Sequence, residues 1–158
     1  MAAQKEMVPV VEKRLASHSE VPPEQPKQEN GLEIQVLYTT LRDTLSALRR
    51  AAELSLRLGA SITLVVPQVV PYPYPLTSPP VLLEFNERRF RTIAKTALIE
   101  TCVRIYLCRD RDELLERVLR PRSVVVLGSR KRWWPTRERL LARRLRRSGH
   151  EVIVTETE

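Results

Sequence analysis

The chain has 158 residues, of which 42% are hydrophobic and 5% aromatic, and its formal net charge is +8. This length fits one domain whose core is large enough to need no disulfide or metal. The longest apolar run, residues 62–70, is interrupted by Pro67 and Gln68 and is too short to cross a bilayer, and the N-terminus lacks the apolar run of a signal peptide. We therefore expect a cytoplasmic protein with no transmembrane segment.

The positive charge is concentrated near the C-terminus. Residues 130–147 contain nine arginines or lysines and one acid, Glu138, so this stretch alone carries +8. The rest of the chain is close to neutral, and any attraction to anions is expected to be local.

The first predicted element begins near Leu32. Residues 1–31 include the run VPPEQP and little that could be buried, which predicts a disordered N-terminal tail with at most a helical turn or two near residues 7–15. Residues 32–158 are predicted to form the folded domain.

Five apolar or alternating segments predict strands, and four segments with helical spacing predict helices. In chain order, the strands are 33–38, 61–66, 102–108, 123–127 and 151–155, and the helices are 43–58, 81–97, 110–119 and 135–147. Residues 67–80 hold six of the chain's twelve prolines, so we predict an extended crossing there. This alternation predicts an α/β fold: a five-stranded, mostly parallel sheet with helices on both faces. Ligands bind such sheets beyond the carboxyl ends of the strands, where the strand order reverses.

The cysteines do not indicate a disulfide or a metal site. Cys102 and Cys108 lie in one predicted strand, which places them roughly 20 Å apart, beyond the reach of a disulfide. Neither cysteine forms a metal-ligand spacing with His18 or His150. We predict core thiols in a reducing compartment.

The sequences ALRRAAELSLRLGASITLVV after the first strand and VVVLGSR at the fourth strand resemble the universal stress protein family. The resemblance covers about residues 32–155 and includes the order of the elements and the long loop after the second strand. It implies the strand order 3-2-1-4-5, a stress-response role, a site that in many members binds ATP, and a homodimer through the last strand, from Glu151 to Thr155.

The family's nucleotide residues are mostly replaced in this chain. An aspartate that normally ends the first strand corresponds to Thr39, and a serine at the start of the next helix corresponds to Thr44, which suits a helix start as well as a ligand. In the family's phosphate loop, Gly128 is kept. The second glycine is Lys131, and the third glycine and the following Ser or Thr are Leu141 and Ala142, which look like packing residues.

A degenerate nucleotide or anion site remains as the prediction. Its residues are Thr39, Thr44, Gly128, Ser129, Arg130, Lys131 and Arg132. We predict that ATP is not bound in the family's usual manner and that no cofactor is needed. The cationic residues 130–132, next to a helix that Pro135 is expected to begin, could instead hold an anion by charge, or they could form a solvated loop.

Two further features have competing interpretations. The arginine-rich helix 135–147 could bind nucleic acid or be a solvated face. Trp133 and Trp134 could stack on a base, lie at a membrane interface or cap the end of the core.

Tyr72 and Tyr74, in the sequence PYPYP, are predicted to lie across the open end of the sheet and to cover the site.

No arrangement of residues indicates catalysis. The sequence shows no Ser-His-Asp set, no paired carboxylates with a histidine and no metal-ligand cluster, so we predict that the protein is not an enzyme. The expected function is binding or regulation, with an altered anion or nucleotide site and nucleic-acid binding as the alternatives.

Overall fold

The computed structural model describes residues 12–16, 31–76, 83–96 and 100–158. The elements in chain order are β1 (Glu12–Ala16), β2 (Glu33–Leu37), α1 (Leu41–Leu58), β3 (Ser61–Val69), α2 (Leu83–Lys95), β4 (Thr101–Cys108), α3 (Arg111–Val118), β5 (Val124–Arg130), α4 (Arg137–Arg147) and β6 (Glu151–Thr157).

The strands form one sheet in the order β1-β4-β3-β2-β5-β6. The five strands β2 to β6 are parallel, and numbered among themselves they follow the order 3-2-1-4-5. The predicted α/β fold with a parallel sheet is therefore confirmed. None of the described helices is long and apolar enough to cross a membrane.

The two faces of the sheet carry different helices. Apolar residues of α1 and α2, such as Leu48 and Phe90, pack with Ile34 and Val36 on one face. Those of α3 and α4 pack with the alternate strand residues on the other face. Each fully buried leucine, such as Leu48, contributes roughly 1.5–3 kcal/mol to the free energy of unfolding. Helices on both faces leave the carboxyl end of the sheet as the place for a ligand.

The structure adds a strand that the sequence did not predict. β1 pairs antiparallel with residues 102–106 of β4, at the edge of the sheet. We predicted disorder or a helical turn here. An unpaired sheet edge can hold an extended segment of many compositions, so the segment's own sequence carries little signal for this pairing. The remainder of the predicted tail lies outside the described residues.

β3 continues through the first part of the proline-rich segment, which we predicted to be irregular. Pro67, Gln68 and Val69 pair with β4, whereas β2 ends its pairing with β3 at Val65. Beyond that point β3 has a neighbour on one side only, and a proline that lacks an N–H can be accommodated.

β5 also extends further than predicted. Gly128, Ser129 and Arg130 pair with residues 155–157 of β6, and the Lys131 N–H donates to the Thr157 carbonyl at 3.1 Å. The sequence predicted a loop from Gly128 onward. The longer β6 supplies partners that hold these residues in the sheet.

Candidate functional site

The strand order reverses between β2 and β5. β2 has β3 on one side and β5 on the other, and α1 and α4, which follow β2 and β5, lie on opposite faces. A crevice at this point is where sheets of this class hold ligands. The residues around it are those after β2, those at the start of α1 and those at the end of β5.

Thr39, Thr44 and Gly128 come together here, as predicted for the site. The Thr39 N–H donates to Thr44 Oγ1 at 3.1 Å, and Thr39 Oγ1 donates to the Gly128 carbonyl at 3.4 Å. Thr44 is completely buried. Both hydroxyls are thus used to join β2, α1 and β5 to one another.

The start of α1 is closed by a pair of side chains. The Asp43 N–H donates to Thr40 Oγ1 at 3.2 Å, and Thr40 Oγ1 donates to Asp43 Oδ2 at 2.8 Å. The Thr40 hydroxyl oxygen thus satisfies a free N–H of the first turn, and the Asp43 carboxylate holds that hydroxyl in place. Thr40 is the N-cap, so the expected helix-start role for Thr44 was wrong; the helix begins earlier, at Leu41.

Asp43 is the main residue of this site that the sequence analysis missed. Its side chain is buried, with 3% of the residue exposed, and its second carboxylate oxygen accepts a hydrogen bond from Thr157 Oγ1 at the end of β6. It lies in the first turn of α1, where the helix dipole and the free N–H groups favour a negative charge. The signal that could have found it is the Thr40-x-x-Asp43 capping pattern.

Gly128 is needed for close packing of α1 against β5. A Cβ at this position would lie 2.1 Å from the Asp43 carbonyl oxygen and 2.7 Å from Asp43 Cβ. The room left by the missing side chain of Gly128 is thus occupied by the backbone of α1.

Ser129 is completely buried, and its hydroxyl lies 2.8 Å from Thr136 Oγ1. Thr136 is the N-cap of α4 and accepts from the Arg139 N–H at 3.3 Å. We predicted that Pro135 begins this helix, but it precedes the cap, because Thr136 provides the side-chain oxygen that closes the first turn. The helix N-terminus is therefore capped by the chain itself.

The cations of the predicted site lie outside this packed region. Arg130, Lys131 and Arg132 are exposed. No acid in the described part of the chain forms an ion pair with them. The structure thus brings Thr39, Thr44 and Gly128 together, joins Ser129 to the cap of α4, and leaves residues 130–132 on the surface.

Trp133 and Trp134 are also exposed, at 102% and 82%. The interpretation that they cap the end of the core is wrong. The segment that carries them runs between the end of β5 and the cap of α4, and it projects both rings into solvent.

The other two positions of the family's phosphate loop are packing residues. Leu141 and Ala142 are 4% and 1% exposed and lie in the core that α3 and α4 form on the sheet. The prediction that they pack, rather than contact a phosphate, is confirmed.

The PYPYP segment lies near the end of β4. The Arg109 guanidinium is 4.1 Å from the centroid of the Tyr72 ring and donates to the Val70 carbonyl at 2.8 Å. Leu76 packs with Val70 and Leu107. These contacts are with β4 and not with the crevice between β2 and β5, where we predicted the segment to lie. Residues 77–80 of the predicted crossing are outside the described residues.

A cleft of about 220 Å³ lies beside this segment. Its lining residues are Val69, Arg109, Asp110, Arg111, Asp112 and Arg137. Asp110 caps α3 by accepting from the Glu113 N–H at 2.8 Å.

Burial, and then the nearby Asp110 charge, raise the pKa of the neighbouring Cys108 to about 11, so its thiol stays neutral at pH 7. The described lining offers charge for a small anion and no activated nucleophile.

The described residues contain no group of three or more His, Cys, Asp or Glu side chains placed to hold a metal. Cys102 and Cys108 are not joined in a disulfide. No protein-family model matches the chain, and neither a curated protein nor a solved structure is significantly similar to it.

Proposed function

We propose that this chain is a cytoplasmic binding or regulatory protein with a universal-stress-protein-like domain, that it is not an enzyme, and that it does not hold ATP in that family's usual manner. The observation that supports the proposal best is the contact between Gly128 and Asp43. The backbone of α1 occupies the room left by the missing side chain of Gly128, and a buried carboxylate lies beside it. Its negative charge would repel a phosphate, and its two oxygens already accept hydrogen bonds from the hydroxyls of Thr40 and Thr157.

Thermal unfolding tests the nucleotide part of this proposal. A ligand present at 100 times its Kd stabilises the folded state by about 2.7 kcal/mol, which raises the Tm of a chain of this size by about 5 °C or more. We expect no such shift with millimolar Mg-ATP. A shift of that size with ATP, and not with inorganic phosphate, would contradict the proposal.

We further propose that the protein forms a homodimer through β6. Among the described strands, β6 has β5 on one side and no neighbour on the other, while the opposite edge of the sheet carries β1. The Glu151 N–H and the Thr157 carbonyl bond towards β5, so the alternate amides of Val152, Val154 and Glu156 face away from the sheet. Open edges of this kind pair with other strands.

One outward group of β6 is already in use. The Arg146 guanidinium donates to the Val152 carbonyl at 2.8 Å. Val154 and Glu156 remain, and antiparallel pairing of two β6 strands over this part would satisfy their N–H and carbonyl groups.

Light scattering with a proline variant tests the dimer. Val154→Pro removes an outward N–H but no hydrogen bond to β5, so the fold is expected to survive and the dimer to dissociate. Val154→Ala keeps the N–H and serves as the control, and we expect it to have the mass of a dimer in light scattering. A wild-type mass equal to one chain at all concentrations would contradict this part of the proposal.

The first alternative is an anion-binding module that uses Gly128, Ser129 and residues 130–132. The exposed cations at 130–132, which pair with no acid in the described residues, support binding of the anion by charge. Binding by a loop of backbone N–H groups has less support, because Gly128 and Ser129 lie in β5. Phosphate or sulfate binding that is lost in an Arg130→Gln, Lys131→Gln, Arg132→Gln variant would support this alternative.

The second alternative, nucleic-acid binding through α4, has less support. Arg139 pairs with Glu156, and Arg144 pairs with Glu116 at 2.7 Å and with Asp112 at 3.6 Å. These pairs neutralise part of the cationic helix face. Arg143 and Arg147 stay exposed, and salt-sensitive oligonucleotide binding that their replacement by glutamine abolishes would favour this alternative.

A further inference from the structure

The segment between β5 and α4 exposes two adjacent tryptophans. We refer to residues 130–136 as the tryptophan loop. Trp133 and Trp134 are 102% and 82% exposed, so neither indole is buried against the described part of the chain. Single exposed apolar side chains are common on protein surfaces, but a pair of indoles next to each other forms an apolar patch that suits a binding partner.

The same loop is strongly cationic. Arg130, Lys131 and Arg132 precede the tryptophans, Arg137 follows at the start of α4, and residues 128–137 contain no acid. Glu156, which lies opposite Ser129 on β6, forms an ion pair with Arg139. A partner of the loop is therefore expected to carry negative charge next to an apolar layer.

Both ends of the loop are fixed to the fold. The Lys131 N–H bonds to the Thr157 carbonyl at 3.1 Å, and the hydroxyls of Ser129 and Thr136 are 2.8 Å apart. The indoles are thus presented from an anchored base, which lowers the entropy lost on binding.

We infer that the tryptophan loop docks this protein on the surface of an anionic lipid bilayer. Indole rings prefer the headgroup level of a membrane, where the ring is apolar and the N–H can bond to water or lipid, and nearby lysines and arginines are attracted to anionic headgroups. A nucleic acid would need a cationic track beyond the loop, and the adjoining α4 cations Arg139 and Arg144 already have acidic partners.

Vesicle binding of the full chain tests this inference. The chain has two tryptophans, both in the loop, so its intrinsic fluorescence reports on the loop alone. Vesicles of phosphatidylcholine with phosphatidylglycerol are expected to sediment the protein and to shift tryptophan emission to shorter wavelength. Vesicles of phosphatidylcholine alone are expected to do neither, and added salt is expected to weaken the binding.

Variants separate the loop from the overall charge. The triple variant Arg130→Gln, Lys131→Gln, Arg132→Gln is expected to bind anionic vesicles on the order of 100-fold more weakly in the sedimentation assay. The double variant Trp133→Ala, Trp134→Ala is expected to bind them at least about ten-fold more weakly. The charge control replaces the exposed Arg49, Arg57 and Arg91 by glutamine. The apolar control is Leu56→Ala, at a residue that is 75% exposed. Both controls are expected to bind as the wild type does.

Three results would overturn the inference. The first is the absence of sedimentation with anionic vesicles. The second is equal weakening by the loop variant and the charge control, which would indicate attraction to the whole molecule. The third is quenching of the tryptophans by a single-stranded oligonucleotide at concentrations well below those of lipid, which would assign the loop to nucleic acid.

Discussion

Gly128 and Ser129 lie five residues before Trp133 and Trp134, and the two pairs differ completely in their surroundings. Ser129 is fully buried and Gly128 touches the backbone of α1, whereas both indoles are in solvent. The first pair joins β5 to the rest of the fold, and the second pair is free for a partner. The predicted site residues 128–132 thus divide into a structural part, Gly128 and Ser129, and an exposed part, residues 130–132, which continues into the tryptophans.

Gly128→Ala is expected to have the largest effect on stability. The added Cβ would meet the Asp43 carbonyl at 2.1 Å, and a backbone atom cannot move aside as a side chain can. We expect a loss of about 3 kcal/mol or more in the free energy of unfolding, measured with urea. Trp133→Ala is the control and is expected to stay within about 0.5 kcal/mol of the wild type. A stable Gly128→Ala protein would contradict the packing role.

Asp43→Ala is expected to cost about 2 kcal/mol, because it removes the carboxylate that accepts from the hydroxyls of Thr40 and Thr157. The backbone N–H of residue 43 can still bond to Thr40 Oγ1. Asp43→Asn keeps an acceptor oxygen and is expected to lose less. If both variants unfold at the same urea concentration as the wild type, Asp43 does not join α1 to β6 as described.

Thr136→Ala is expected to cost about 1 kcal/mol through loss of the α4 cap and of the bond to Ser129. Thr136→Ser keeps the hydroxyl and is the matched control. Equal stability of the two variants would show that the base of the tryptophan loop is not anchored by this hydroxyl.

The reactivity of Cys108 towards a thiol reagent gives a further prediction, which does not depend on a change in stability. Cys108 is the last residue of β4, at the carboxyl end of the parallel strands, where the tryptophan loop also begins. Burial raises the pKa of its thiol to about 11. The reactive thiolate is therefore scarce, and in a Cys102→Ser variant the labelling rate is expected to rise about ten-fold per pH unit from pH 7 to 10. A plateau near pH 9 would indicate an ordinary, accessible thiol.

The raised pKa of Cys108 also makes the stability of the fold depend on pH. The folded state disfavours the thiolate, so this group leaves stability unchanged below the unfolded pKa of 9.0 and lowers it as the pH rises from there to about 11. Replacing Cys108 with alanine is expected to remove this dependence.

The fold could be predicted because its elements have a clear apolar period. The alternating and continuous apolar strands, and helices such as α1 with apolar residues on one side, are visible in the sequence, and Gly59 ends α1 as the left-handed cap. The pairing of β1 was not predictable in this way, since it depends on an unpaired edge provided by β4. The length of β5 depended likewise on how far β6 extends.

The site could be predicted only in part. Resemblance located Thr39, Thr44 and Gly128, which do meet, but it assigned them to a ligand and not to packing. Asp43 belongs to a local capping pattern and was overlooked because the family comparison placed the carboxylate at position 39. The exposure of Trp133 and Trp134 follows from the path of the chain between β5 and Thr136, which residue type alone does not determine.

The central claim is that the crevice between β2 and β5 is filled by the chain's own groups, and a fluorescence titration with Mg-ATP at moderate salt tests it most directly. The only two tryptophans follow Gly128 and residues 130–132, so they report on ligands held there. We predict no saturable change up to millimolar ATP beyond that caused by inorganic phosphate. A saturable change at micromolar ATP, much weaker with AMP or phosphate, would contradict the claim and show that a nucleotide site has survived in altered form.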